Sequence, residues 1–421
     1  MRLQKIINRL QKLHPKEIDL SLDRILNLCK KLNNPQDKIK AISIIGTNAK
    51  YSTIQAIYAI LKEAKIDCNI YSSPHIKNIN ERFIFNNKEL NDDELSDLLE
   101  KVEKINENNP ITFFEILTAA YFCKAAEFPN NLNLIEAGLF HRFDATNILK
   151  KNLASIVTSN GIDHLDWLPK NEQTIEKIIF EKTSTLLNSN IIVAKQSSKI
   201  ISEHIKKTID NNKSEKFFFG EGYSFSSGEN DFYYEDKLGG IKLQKPNLNG
   251  EFQLENISTA IATLRSIKQL NIYDNHIKSG ITKITSVARL QEITEGKLKD
   301  LVKENRLIID GSHNPLGAKV LNDFLESLHC EKHIILGMMA NKDHREFIRC
   351  LKNIKTLITV DIPNQSNSIK GDDLKNKLVG FKNIQYRKNI FEAVRSIQAK
   401  KNDLIIITGS LYLAGEVLKL N

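Results

Sequence analysis

The sequence predicts an α/β protein of two domains: a large N-terminal domain on a parallel sheet with an accessory β region, and a smaller C-terminal α/β domain. Three observations predict this. The chain has 421 residues, long for one core and sufficient for two. Apolar strand-like runs alternate with helical patterns through the first half. After a stretch of different character, a second alternation begins near Ser286, giving domains of 1–285 and 286–421.

The first alternation places strands at Ile42 to Ile45, Cys68 to Tyr71, Leu132 to Glu136, Leu153 to Thr158 and Asn190 to Ala194. Helical spacing covers Ser52 to Lys65, Asp92 to Asn106, Phe113 to Ala126 and Thr174 to Leu187. Residues 210–250, with FFFGEGYSFSS and DFYYEDKLGGIKLQ, read as short antiparallel strands, the accessory region. The second alternation runs through strands at Arg306 to Asp310, His333 to Leu336, Thr356 to Val360 and Asp403 to Thr408, with helices from Pro315 and Glu346. In such sheets the loops at the carboxyl ends of the strands carry the chemistry.

Composition narrows the class. Lys and Arg total 60 against 51 Asp and Glu, a net charge of +9, but the basic residues are scattered among Asn and Ile, which argues against nucleic-acid binding. The abundant Lys, Asn and Ile read as a compositional bias of the source. The five cysteines lack CxxC spacing, so neither a zinc site nor a disulfide framework is expected. Without an apolar run of about 18 residues, no membrane span is expected, and the location expected is cytoplasmic.

The loop after the first strand, Gly46-Thr47-Asn48-Ala49-Lys50-Tyr51-Ser52, sits between strand and helix as a phosphate-binding loop does. Its backbone amides would face phosphate oxygens, Lys50 would neutralise them, and Ser52 would reach a bound Mg²⁺. An ordinary βα turn uses the same residue types, and the two readings stand about even. Other strand ends deliver Ser73-Pro74-His75, Glu136 and Asp163-His164, a convergence that favours a site although Glu136 alone reads equally well as a solvated loop acid and a lone histidine more often as a packing residue. Lys182, beside Glu181 in a helical stretch, reads as one more surface lysine.

Taken in order, IDLSLDRI, GTNAKYS, SSPHIKNINERF, TFFE, EAGLFHRFDATN, SNGIDHLDWL, FEKT, GEFQLEN, ARLQ, DGSHNP, NKD and TGSLYLAGEV resemble the folylpolyglutamate synthase and dihydrofolate synthase family of the Mur ligase superfamily, over nearly the whole chain. The resemblance implies a P-loop ATPase domain followed by a glutamate-ligase domain, with substrates between them. It implies an ATP-dependent amide ligase joining L-glutamate to dihydropteroate, to folylpolyglutamate or to both through an acyl phosphate, acting as a monomer. By match to the family, residues 46–52 together with Asn256, Arg289 and Asp310 hold ATP. Lys50, His164, Lys182 and His313 serve catalysis, and Ser52, Ser73, Glu136 and His164 hold Mg²⁺, two ions being expected. Lys182 matches a lysine that is carbamylated in many members. Asp19, Leu20 and Ser21, Thr112, Phe113, Phe114 and Glu115, and Asp144, Ala145 and Thr146 match the pterin and folate side.

The chain departs from the family at Ala49 and Tyr51, where glycine is usual, at Phe140 and His141, which replace a glycine pair, and at Phe252 and Ser43, which replace histidines. A weak or inactive paralogue that only binds pterin or nucleotide is therefore a competing reading. A cell-wall ligase of the Mur type is a third, disfavoured by TFFE and DATN.

Overall fold

The computed structural model describes residues 2–16, 19–378, 381 and 383–420; Ile18, at the head of the IDLSLDRI stretch, lies outside them. The chain forms two compact units. The first comprises Met1–His164, Leu168–Pro246 and Leu254–Ile284, and the second Leu165–Trp167, Asn247–Gln253 and Thr285–Asn421.

The first unit is built on eight strands: β1 (Lys40–Ile45), β2 (Cys68–Tyr71), β3 (Phe83–Phe85), β4 (Lys88–Glu89), β5 (Leu132–Glu136), β6 (Ala154–Val157), β7 (Asn190–Val193) and β8 (Lys216–Phe218), in the order β4-β3-β2-β5-β1-β6-β7-β8. From β2 to β8 every pairing is parallel; β3 and β4 add an antiparallel edge. β1 is enclosed by β5 and β6, and five of its six residues are buried, as expected of a strand covered on both faces. The FFFG run departs from expectation: Lys216–Phe218 joins the large sheet beside β7. Only β9 (Tyr223–Ser227), β10 (Asp231–Asp236) and β11 (Gly239–Gln244) form the separate antiparallel sheet. On β10 Phe232 and Tyr234 point inward while Tyr233 is exposed, the alternation of a one-sided sheet.

The helix Lys50–Glu63 follows β1 directly. It is crossed closely by the helix Asp274–Ile281, where a Cβ on Gly280 would lie 2.6 Å from the Ile60 Cα, so only glycine permits the approach. Behind β2 and β5, the helices Asp92–Asn106 and Phe113–Ala125 bury Leu95, Leu99, Ile116 and Tyr121 in one apolar core.

The second unit carries six strands, β12 (Gln291–Glu292), β13 (Arg306–Ile309), β14 (Lys332–Leu336), β15 (Thr356–Val360), β16 (Ile384–Arg387) and β17 (Leu404–Thr408), ordered β12-β13-β17-β14-β15-β16 and parallel except for β12. Leu336, Phe347 and Ile406 fill its core. Among the described residues, no helix is long and apolar enough to cross a membrane.

Candidate active site

The loop after β1 is fixed by sterics before any ligand is considered. Gly46 has φ +154°, and a Cβ there would fall 1.9 Å from the Thr158 hydroxyl, which donates to the Asn48 carbonyl at 2.7 Å. The amides of Thr47 and Asn48 donate to the Ser159 carbonyl at 3.0 and 3.1 Å, so these two turn amides face the segment after β6. The helix that starts at Lys50 follows this turn, its N-terminus at the loop. Ala49, its N-cap, has φ +71° and ψ −8°. That is the left-handed shape a phosphate loop asks of glycine, and a Cβ there costs roughly 1 kcal/mol. The loop keeps its shape in spite of the alanine.

Two lysine side chains converge on one carbonyl. Lys50 Nζ donates to the Gly46 oxygen at 3.2 Å and to the Thr47 oxygen at 3.2 Å; Lys182 Nζ donates to the same Gly46 oxygen at 3.0 Å. Lys182 is 3 % exposed, so the surface-lysine reading is overturned: the helix Ile175–Thr183 points it inward. Burial first, then the nearby Lys50 charge, push its amine down to about 7. Glu136, at the end of β5 and buried, lies 3.8 Å from Lys50 Nζ through Oε1 and accepts the Ser73 amide through Oε2 at 3.2 Å. Ser52 is buried in the first turn of the helix Lys50–Glu63.

Among the described residues, no group of three or more His, Cys, Asp or Glu gathers as a metal site. The expected set of Ser52, Ser73, Glu136 and His164 has two hydroxyls, one carboxylate and one imidazole. Such a sparse donor set suits a hard ion that completes its shell with phosphate oxygens and water. The buried Glu136 carboxylate beside the loop is the observation that fits this.

His164 has φ +58°, with its amide donating to Asp163 Oδ1 at 2.9 Å. Its ring meets the Phe140 ring edge-on at 6.4 Å, and Phe140 also lies 5.6 Å from Lys182 Nζ. Phe140 itself has φ +56°. Beside it His141 is buried, its imidazole pushed down to about 3 by desolvation and then by Lys182, and its Nδ1 has no hydrogen-bond partner. The loop is tied to the helix of Lys182 by a bidentate bridge from Arg142 to Glu181 (2.8 and 2.7 Å), while the His141 and Arg142 amides donate to the Glu181 carbonyl. Arg142 and Glu181 escaped the sequence reading; the signal was the polar run itself at the end of β5.

On the expected pterin side, Asp144 is saturated by its own loop, accepting from the amides of Gly138, Leu139 and Thr146 and from the Thr146 hydroxyl. Burial raises its carboxyl, opposed by those donors. Ala145 is buried. Thr112 and Glu115 cap the helix Phe113–Ala125, the Thr112 amide donating to Glu115 Oε2 at 2.8 Å. Phe113 and Phe114 are partly buried against the core, Phe114 stacked on Tyr71 at 6.0 Å. Arg24, another residue missed, joins the two expected stretches: it donates to Glu115 Oε2 at 3.0 Å and to Asp19 Oδ2 at 2.9 Å. Lys16 and then Arg24 hold the Asp19 carboxyl below its usual range. Leu20 and Ser21 are half-buried beside Asp19. Asn256 is buried on the helix Phe252–Ser266.

In the second unit, Asp310 is buried after β13 and accepts the amides of Leu290 (3.0 Å) and Ser312 (2.9 Å). Arg289 Nη1 donates to the Ala288 carbonyl at 3.0 Å, and both its neighbours, Ala288 (φ +53°) and Leu290 (φ +50°), are left-handed. His313 Nδ1 lies 2.9 Å from the Gly311 carbonyl, and Asn314 caps the helix Pro315–Glu326. The DGSHNP turn thus gathers Arg289, Asp310 and His313 at one strand end.

Comparison with known proteins gives a consistent result. Residues 295–411 match the Mur ligase, glutamate ligase domain. The dihydrofolate synthase/folylpolyglutamate synthase of Bacillus subtilis is 27 % identical over 94 % of this chain and 94 % of its own length. The protein of the same name from Escherichia coli is 26 % identical over 98 % of this chain and 94 % of its own. The structure of Escherichia coli FolC in complex with DHPP and ADP superposes with a TM-score of 0.88 at 25 % identity, covering 99 % of this chain and 97 % of that one. In sequence and in structure the chain is homologous to the dihydrofolate synthase/folylpolyglutamate synthases, and it carries a Mur ligase C-terminal domain.

Proposed function

We propose that the chain is an ATP-dependent ligase that joins L-glutamate to dihydropteroate, to folylpolyglutamate or to both, as a cytoplasmic monomer. The observation that carries the proposal is the convergence of Lys50 and Lys182 on the Gly46 carbonyl beside buried Glu136. Lys50 is a cation placed for a phosphate, and burial together with that charge drives the Lys182 amine beside it toward its neutral form. The homologues' names, and the ADP and DHPP bound by the Escherichia coli relative, support a phosphate there and a pteroate nearby.

A carboxylate and an amine do not condense in water. The reaction runs in two steps: the substrate carboxylate oxygen attacks the γ-phosphorus and ADP leaves; the glutamate amine then attacks the acyl carbon and phosphate leaves. Lys50 neutralises phosphate charge, and the helix N-terminus behind it donates to phosphate oxygens. Ser52, Ser73, Glu136 and His164 would hold Mg²⁺, which supplies charge neutralisation to the phosphates when bound. Asn256, Arg289 and Asp310 are assigned to the nucleotide, and His313 to the phosphate or the incoming glutamate. Residues 1–285 are assigned to ATP and pterin binding and 286–421 to glutamate ligation. ADP release from dihydropteroate, glutamate and MgATP tests the reading. Lys50→Ala is expected to slow it by about a hundredfold or more; wild-type turnover no faster than this variant's would leave the ligase reading without support.

Lys182 is assigned a carbamate, formed when its neutral amine attacks CO₂ and loses a proton. Below about 7 the amine is protonated and unreactive, so the adduct should grow as pH rises from 6 to 8. Protein in ¹³C-bicarbonate should show a carbamate carbon by NMR that follows this course and is missing from Lys182→Met. An identical signal in the variant overturns the assignment.

A further inference from the structure

Phe140 is held where an aromatic residue does not rest easily. Its φ of +56° lies in the left-handed region, and it is 3 % exposed, so its ring is not directed into solvent. The conformation is imposed from both sides. Before it, the Gly138 and Leu139 amides are fastened to Asp144 Oδ2 at 3.0 and 2.8 Å. After it, the His141 and Arg142 amides are fastened to the Glu181 carbonyl, and the Arg142 guanidinium to the Glu181 carboxylate. The ring thus clamped has Lys182 Nζ 5.6 Å from its centroid and meets the His164 imidazole edge-on at 6.4 Å. His164 is itself left-handed, at φ +58°, so two strained residues meet through their rings. Strain that the surroundings over-determine, concentrated between two polar groups of one site, has a positional use.

We propose that Phe140 is a positioning residue of the ligase reaction: its ring sets His164 and the Lys182 side chain relative to each other and keeps bulk water out of the space between them. This rests on the ligase reading. The water matters because the acyl phosphate has two competing nucleophiles. Attack by the glutamate amine displaces phosphate and leaves the amide. Attack by water displaces the same phosphate and returns the carboxylate, so ATP is consumed with no amide formed.

The test is the ratio of ADP released to amide formed in Phe140→Leu, which keeps an apolar side chain but removes the ring, and in Phe140→Tyr, which keeps the ring. For the wild type the ratio should be close to one. Phe140→Leu should raise it at least threefold and lower kcat about tenfold, with KM for the pteroate changed less than threefold; Phe140→Tyr should restore coupling to within twofold of wild type. Should Phe140→Leu not fold, Phe140→Met gives the same comparison. A folded Leu or Met variant that remains as tightly coupled as the wild type overturns the proposal. So does a Tyr variant as uncoupled as Leu. A wild type without turnover strikes the ligase reading instead, which separates the two failures.

Discussion

At the scale of single residues, the loop after β1 shows how a chain can hold a left-handed shape without the glycine that makes it easy. Ala49 holds φ +71° because Gly46, Thr158 and Ser159 fix the turn on either side of it. The penalty therefore falls on stability and leaves the geometry of Lys50 intact. Ala49→Gly relieves the left-handed strain but makes the unfolded chain more flexible, so a net gain of up to about 1 kcal/mol is expected. Urea denaturation measures it, and KM for ATP should move by less than about threefold, within ~0.7 kcal/mol. A tenfold fall in KM would show that the alanine distorts the loop. The loop itself was legible from its setting between an apolar run and a helical pattern. The burial of Lys182 was not, because nothing local marks an inward-facing lysine in a chain this rich in lysine.

At the scale of strands and helices, the asparagines discounted as bias prove to be structural where they are buried. Asn69 on β2 and Asn133 on β5 stand directly opposite each other in the parallel register, with Asn69 Nδ2 donating to Asn133 Oδ1 at 3.1 Å. The Tyr121 hydroxyl donates to the same oxygen at 2.9 Å, and Asn131 Nδ2 and the Asn86 amide donate to Asn69 Oδ1. A slip of one residue would turn this whole set to the other face of the sheet. Asn133→Leu leaves the Tyr121 hydroxyl and the Asn69 amide without that acceptor, for a cost of roughly 1–3 kcal/mol that thermal unfolding measures. An unchanged melting temperature would mean the network contributes nothing. The inner parallel strands were readable as continuous apolar runs, whereas β3, β4, β12 and β16, of two to four residues, lie at or next to the sheet edges and carry no such run. Their sequences are too short for periodicity, and partners distant in sequence define them. The same reason explains why FFF was grouped with the accessory strands: its pairing with β7 is a tertiary fact.

At the scale of the molecule, the two-part architecture was visible as two alternations, but its stitching was not. The second unit takes in Asn247–Gln253, where Asn249 Nδ2 donates to the Leu290 carbonyl at 2.8 Å and Phe252 packs on the core of that unit. No composition shift marks so short a segment. The order of the large sheet carries a further consequence, for the chain as it leaves the ribosome. β1 leads straight into the loop at Gly46, yet its two neighbours are β5 and β6, and β6 ends only at Val157. At typical rates of synthesis, about 5–20 residues per second, the strand waits roughly 5–20 s for its second neighbour. Until β5 is complete at Glu136, Ile42, Ile44 and Ile45 are apolar side chains on an unpaired strand. Thr158, which fixes the turn at Gly46, is made only after that interval. The loop at Gly46 is thus made well before the residues that give it its shape, and until then it depends on whatever shields nascent chains.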